Sequence, residues 1–343
     1  MNFFAEVTKN NIDDFLYKYD IIICKLRSSR IKAKHVAILE ILFTQLENEI
    51  LAIRNGPLGD IKGLISFFCP KRNVDAFKEK LFGIGYCNKF YLLDFEDESC
   101  KNNTDLRPGS PLVWKGCKFS INNYFIQDKN IYEEQSAHKR EFKIVDFDGV
   151  TKSVFGYRGD GTELGRRALP VEDARCMVNL SFPHKNKRVI DPFAGAGGII
   201  YEFKYINKDA DMTSIDIDPV LKPGLEFYGS KHYVMNAGNV SFPADSFDSV
   251  VTEVPFVYEA VNDIIDVLKK INSSVSDEGV FVIMCEIDQA DDIYDALAEL
   301  NIYCLFTHEI DRKGTDVELS VWWKNRDLLP EIEEFITALK EIY

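Results

Sequence analysis

No run of eighteen apolar residues occurs anywhere in the 343-residue chain, so a membrane-spanning helix is not expected. The opening Met1-Asn2-Phe3-Phe4-Ala5-Glu6 lacks the basic region and apolar stretch of a secretory leader, which makes the cytoplasm the expected location. The eight cysteines never fall as a C-x-x-C pair, and several sit in apolar runs such as Ile21-Ile22-Ile23-Cys24, so free buried thiols explain them better than zinc or disulfides. His184, His232 and His308 lie apart, without metal-ligand spacing, and no metal is expected. No internal repeat or low-complexity tract stands out. Basic side chains are in deficit, 41 against 55 acidic ones, for a net charge of −14. The deficit is local: residues 1–150 hold 22 basic and 21 acidic side chains (+1), and residues 151–343 hold 19 and 34 (−15). Binding along a phosphate backbone relies on neutralising it, so the second half argues against a broad nucleic-acid footprint there. Two basic clusters are exceptions, Lys25, Arg27, Arg30, Lys32 and Lys34 near the start, and Arg158, Arg166, Arg167 and Arg175 further on.

What is present is concentrated in Arg188-Val189-Ile190-Asp191-Pro192-Phe193-Ala194-Gly195-Ala196-Gly197-Gly198-Ile199-Ile200, which reads as a buried strand, a glycine turn and the start of a helix. Glycines let a backbone approach a ligand closely, and the first amides of the helix offer hydrogen bonds at the carboxyl edge of a parallel sheet. Met212-Thr213-Ser214-Ile215-Asp216-Ile217-Asp218-Pro219 then reads as a second strand ending in a carboxylate that suits ribose hydroxyls. A dinucleotide-binding unit shares that acid, but its third glycine would fall where Ile200 stands. Asp191, before the turn, places a carboxylate where an aminoacyl-adenosyl ligand carries an ammonium.

At these residues the chain resembles class I S-adenosylmethionine methyltransferases, whose first two motifs are similar to D-P-F-A-G-A-G-G and I-D-I-D-P. Asn236-Ala237-Gly238-Asn239-Val240-Ser241-Phe242-Pro243-Ala244-Asp245-Ser246-Phe247-Asp248 is similar to the third, with Asn236 where an Asp usually meets the adenine amine. Thr252-Glu253-Val254-Pro255-Phe256 stands where amino-methyltransferases carry D-P-P-Y or N-P-P-F. Within the superfamily the likeness is greatest to the tRNA guanine-N2 (position 10) and THUMP-associated enzymes, through Gly165-Arg166-Arg167-Ala168-Leu169-Pro170 and Ala174-Arg175-Cys176-Met177-Val178-Asn179-Leu180.

The resemblance implies S-adenosylmethionine as cofactor, held by Asp191, Phe193, Gly195, Gly197, Asp216, Ile217, Asn236 and Ala237. It implies catalytic roles for Glu253, Pro255 and Phe256, and substrate contacts at Arg166 and Arg167. An exocyclic amine is a poor nucleophile while its lone pair is delocalised into the base, so the site must hold the nitrogen with acceptors in line with the methyl. Glu253 and the Val254 carbonyl would be those acceptors, with Phe256 stacking on the base. Glu is one methylene longer than the usual Asp or Asn. Either the backbone recedes to compensate, or the substrate differs, or catalysis has been lost. The implied acceptor is RNA, most simply a tRNA guanine; the alternatives are a small molecule, a peptide, DNA, or a non-catalytic subunit that keeps the fold. The oligomeric state is left open.

With 46% hydrophobic and 28% charged side chains, the chain is long enough for two cores. Residues 1–150 are expected to form a small α+β substrate-positioning domain of ferredoxin-like or THUMP-like character. In it a helix is predicted over 34–53, strands over 61–68 and 89–95 around a helix over 73–82, a loop over 100–111, and short strands at 118–121 and 142–145. Glycines at 149, 156, 159 and 161 mark a boundary. Residues 151–343 are expected to form a Rossmann-like α/β domain. Its strands are predicted at 187–191, 212–216, 233–235, 247–252 and 279–286, with helices over 260–272 and 291–300. A terminal antiparallel hairpin from 303–307 and 317–323 and a closing helix over 328–343 complete it. The resemblance implies seven strands with one reversed.

Overall fold

The computed structural model describes residues 4–6, 12–27, 31–46, 50–54, 63–74, 83–95, 112–114, 117–121, 141–145, 151–155, 169–312 and 315–342. They divide into two compact units, residues 1–135 with 336–343, and residues 136–335.

The first unit carries β1 (Phe4–Glu6), α1 (Ile12–Lys18), β2 (Tyr19–Leu26), α2 (Ile31–Ile41), β3 (Leu51–Arg54), β4 (Leu64–Pro70), β5 (Cys87–Phe95), β6 (Leu112–Trp114) and β7 (Cys117–Ile121) in one sheet of order β1-β3-β4-β2-β5-β7-β6. β2 is antiparallel to both β4 and β5, so those two run parallel on either side of it, the split β-α-β pattern. Ile21, Ile22, Ile23 and Cys24 of β2 are all buried, as a central strand requires. The helix predicted over 34–53 stops earlier. α2 ends at Ile41, a π-helical turn follows to Leu46, and Leu51–Arg54 is a strand that pairs with β1 and β4. The apolar spacing runs on to Ile50, which is buried just before the strand; sheet pairing, not periodicity, decides the state there. Most of 73–82 and all of 100–111 lie outside the described residues.

The second unit opens with an antiparallel hairpin, β8 (Glu141–Val145) and β9 (Thr151–Phe155). There follow α3 (Val171–Leu180), β10 (Arg188–Asp191), α4 (Gly198–Ile206), β11 (Asp211–Asp216), α5 (Lys222–Phe227), β12 (Ser230–Val234), β13 (Phe247–Glu253), α6 (Val261–Asn272), β14 (Val275–Glu286), α7 (Ile287–Glu299), β15 (Tyr303–Arg312) and β16 (Thr315–Trp323). Helix α8 (Leu329–Ile342) closes the chain. The sheet order is β12-β11-β10-β13-β14-β16-β15. All its pairings are parallel except those of β16, so the sheet has seven strands with one reversed, the architecture expected of a class I methyltransferase. β12, β14 and α7 begin earlier than predicted and β15 runs longer.

Burial explains the helices better than propensity does. α6 buries Val261, Ile264, Val267, Leu268 and Ile271 while Asp263, Asp266 and Lys269 face out, and each buried aliphatic contributes roughly 1.5–3 kcal/mol. Trp322 and Trp323 are packing residues, 3% and 5% exposed. Cys24, Cys69, Cys87, Cys176 and Cys285 are free and buried, and Cys304 is free and exposed. The described residues include no helix long and apolar enough to cross a membrane and no His/Cys/Asp/Glu group able to hold a metal.

Arg175 departs from the expectation that it joins a backbone-binding cluster. Its Nε donates to Glu202 Oε2 at 2.6 Å with both side chains essentially buried, and its guanidinium lies 4.8 Å from the Tyr205 ring centre, so it ties α3 to α4. Breaking a buried pair leaves a charge without its partner, at about 3–5 kcal/mol, whereas replacing both members with apolar residues can be neutral. Arg175→Met is therefore expected to lower stability by about 3 kcal/mol or more, and Arg175→Met with Glu202→Leu to recover most of it, as read by urea unfolding.

Candidate functional site

Because β10, β11 and β13 are parallel neighbours, their last residues, Asp191, Asp216 and Glu253, emerge at one edge of the sheet. The glycine turn crosses that edge. Gly195 and Gly197 take φ of +48° and +86°, the left-handed region that glycine enters without strain. A Cβ at Gly197 would come within 2.8 Å of Leu225, whereas one at Gly195 would meet nothing within 4 Å. Gly195 is thus needed for its backbone and leaves open space above it. The Ala194 amide donates to the Ile215 carbonyl (3.0 Å) and the Gly195 amide to Asp216 Oδ2 (2.9 Å), so the turn after β10 is bound to the end of β11.

Asp191 is 1% exposed. Its Oδ1 accepts from the Thr252 hydroxyl (2.7 Å) and the Phe193 amide (3.2 Å). Burial pushes its carboxyl up to about 7, the nearby Asp216 and Glu253 charges add to this, and the two hydrogen bonds oppose it. Together with Leu169, Gly195, Gly198 and Glu253 it lines a cleft of about 40 Å³. A water needs about 10–15 Å³ of such space, so the cleft admits a small polar group such as an ammonium.

Asp216 accepts a second bond at Oδ1 from the Asp218 amide (2.9 Å), and Asp218 Oδ1 in turn accepts the Val220 amide (3.0 Å) to cap the turn that follows. Ile217 is 72% exposed beside it, an apolar surface at the sheet edge. Asn236 is exposed and its Oδ1 accepts the Gly238 amide (2.8 Å), making it the cap of the 237–239 turn. The Ala237 side chain packs into the core, leaving its backbone for any ligand contact, and Phe193 packs half-buried against the same core.

Beyond Glu253 the strand pairing continues through the Val254 amide, which donates to the Met284 carbonyl (2.9 Å). Val254 is buried, Phe256 half-buried and Pro255 exposed. The loop is held from below by Gln289. That side chain is fully buried, its Nε2 donates to the Pro255 carbonyl (3.0 Å) and the Val257 carbonyl (3.1 Å), and its Oε1 accepts the Glu286 amide in a capping box at the start of α7.

The structure therefore gathers Asp191, Gly195 and Glu253 around one cleft and sets Asp216 beside it; Arg166 and Arg167 lie outside the described residues. Sequence reading passed over Thr252 and Gln289. Thr252 was signalled only by a polar residue within an otherwise apolar strand. Gln289 closes a Glu-x-x-Gln box, which lacks the usual Ser or Thr.

No family model and no curated protein matches the chain. Among solved structures it is similar to TrmN from Thermus thermophilus, at 16% identity and a TM-score of 0.40 over 46% of this chain and 49% of that one, so it spans about half that protein's matched length. It is similar to a didemethyltoxoflavin methyltransferase of Burkholderia thailandensis with bound S-adenosylhomocysteine, at 14% identity and 0.35 over 44% and 78%. It is also similar to the N-methyltransferase NodS of Bradyrhizobium japonicum, at 11% and 0.37 over 44% and 94%.

Asp191 sets a pH dependence of stability. An unfolded Asp titrates near 3.9, so between about pH 4 and 7 the folded protein holds a proton that the unfolded chain has lost. Its contribution is fully present below pH 4 and is lost as pH rises to about 7. Urea midpoints of Asp191→Asn at pH 4.5, 6 and 8 should show that decline reduced relative to the unsubstituted protein.

Proposed function

We propose that the chain is an S-adenosylmethionine-dependent methyltransferase acting on an amine nitrogen. The observation that carries this is the meeting of Asp191, the glycine turn and Glu253 in one cleft on a seven-stranded sheet with one reversed strand, with Asp216 tied to the same turn. The residues fit the cofactor. Asp216 is a half-exposed carboxylate suited to ribose hydroxyls, exposed Ile217 offers a face for adenine, the open space above Gly195 admits a close approach, and Asp191 suits the ammonium of the amino-acid end. Bound there, the cofactor supplies a methyl on a sulfonium, a good leaving group as the neutral thioether.

Glu253 and the Val254 carbonyl hold the acceptor nitrogen, and Phe256 covers it. Gln289 fixes the loop that presents them. Residues 151–343 carry the reaction, and residues 1–150 position the acceptor. A guanine amine in tRNA is the acceptor that the motif resemblance supports, and the acidic balance of residues 151–343 favours one outside the nucleic acids.

Labelled methyl transfer from S-adenosylmethionine tests the reading. Glu253→Ala should abolish transfer and leave cofactor affinity within about twofold, while Asp216→Ala should weaken cofactor binding by about tenfold or more, as expected for losing charge-assisted hydrogen bonds of roughly 1.5–3 kcal/mol. Absence of calorimetric binding at millimolar cofactor overturns the proposal. Only the ionised Asp191 pairs with an ammonium, so affinity should fall with pH below about 7, by up to about tenfold per pH unit, and Asp191→Asn should bind weakly with a flatter profile.

A further inference from the structure

The stretch of chain that follows Glu253 is acidic. From Glu253 to Glu299 there are twelve acidic side chains and two basic ones, Lys269 and Lys270. Both lysines are engaged, Lys269 with Glu299 at 3.3 Å and Lys270 with the Gly238 carbonyl at 2.6 Å. Among the described residues the cleft is walled by two carboxylates and by no basic side chain. In the proposed reading Asp191 serves the ammonium of the cofactor's amino-acid end, which leaves Glu253 as the carboxylate for the acceptor.

A groove of about 740 Å³ begins two residues beyond Phe256, at Tyr258 and Glu259, and runs between α6 and α7 past Asp292, Asp295 and Glu299. Its floor is apolar, with Val261, Ile265 and Ala296, and Asn262 and Lys269 also line it, Lys269 paired with Glu299. Tyr258 is 55% exposed at its head, and its hydroxyl donates to Asp292 Oδ2 (3.2 Å). An apolar floor between carboxylates matches the methylene stems and charged ends of lysine and arginine, and it repels phosphate.

We infer that the acceptor is a primary ammonium on a lysine- and arginine-rich polypeptide segment, which lies in this groove and delivers its nitrogen to Glu253. The inference rests on the methyltransferase reading and names the substrate of that site. Glu253 takes one proton from the ammonium. The freed lone pair forms the N–C bond to the sulfonium methyl as the C–S bond breaks, sulfur keeps the bonding pair, the product leaves as a methylammonium, and the Glu253 proton passes to water. This chemistry suits a carboxylate with reach, because an ammonium must lose a proton before it can attack, whereas a nucleobase amine is already neutral.

The test uses the full chain, with cofactor binding measured first by calorimetry. Fifteen-residue Lys/Ala and Lys/Arg/Ala peptides, a Glu/Ala control and unmodified bulk tRNA are then offered with labelled S-adenosylmethionine. Methyl transfer to the basic peptides and not to the tRNA is expected. Peptide binding without cofactor, followed by fluorescence anisotropy, should weaken with salt and should weaken about tenfold or more in Asp292→Lys with Asp295→Lys, with cofactor affinity unchanged. Asp292→Asn with Asp295→Asn, a milder change, should give an intermediate loss and covers the case in which the lysine variant fails to fold. Transfer to tRNA alone, transfer to neither with the cofactor bound, or peptide binding indifferent to both variants overturns the inference. Failure to bind the cofactor at all instead overturns the methyltransferase reading beneath it.

Discussion

The hydrogen bond from the Gly195 amide to the Asp216 carboxylate fixes the part of the molecule on which the rest of the site depends. It joins a turn that leaves one strand to the last residue of the next, so two neighbouring strand ends cannot drift apart without losing a charge-assisted bond. Charged acceptors make such bonds about twice as strong as neutral pairs. The turn can bend this way only because Gly195 and Gly197 tolerate positive φ, and the helix after it can pack only because Gly197 leaves room for Leu225. With the turn held, the Phe193 amide reaches Asp191, and the cleft keeps its shape.

Electrostatics divides the labour along the same edge. Asp216 is half-exposed and satisfied by two amides, a carboxylate ready to accept hydroxyls. Asp191, one strand away, is buried and holds its proton to about neutral pH. Two acids of the same kind thus differ in role because one faces solvent and the other does not. The acidic helices beyond Glu253 extend this field outward and bias which molecules approach.

Much of this was legible in the sequence because the responsible residues are close together in it. The turn from Asp191 to Gly197 and the acid at Asp216 announce themselves through glycine conformational needs and a strand ending in a carboxylate. The final hairpin is legible in its alternating apolar runs. What was not legible depends on distant partners. Leu51–Arg54 reads as the end of a helix and becomes a strand because β1 and β4 supply hydrogen bonds on both sides. Arg175 reads as a surface base and is buried because Glu202, 27 residues on, meets it across two helices. Asn236 looks like a ligand to adenine and also caps its own turn. Thr252 and Gln289 carry only faint local signals, a polar residue in an apolar strand and a Glu-x-x-Gln box, since each matters chiefly through a partner 61 or 34 residues away.

Gln289 has a consequence for motion. Its amide spans the Pro255 and Val257 carbonyls while its oxygen closes the first turn of α7, so the acceptor loop cannot lift without unwinding that turn or leaving two buried carbonyls without donors. Loop and helix end are therefore coupled, and displacing the loop entails fraying a helix terminus some thirty residues further along the chain.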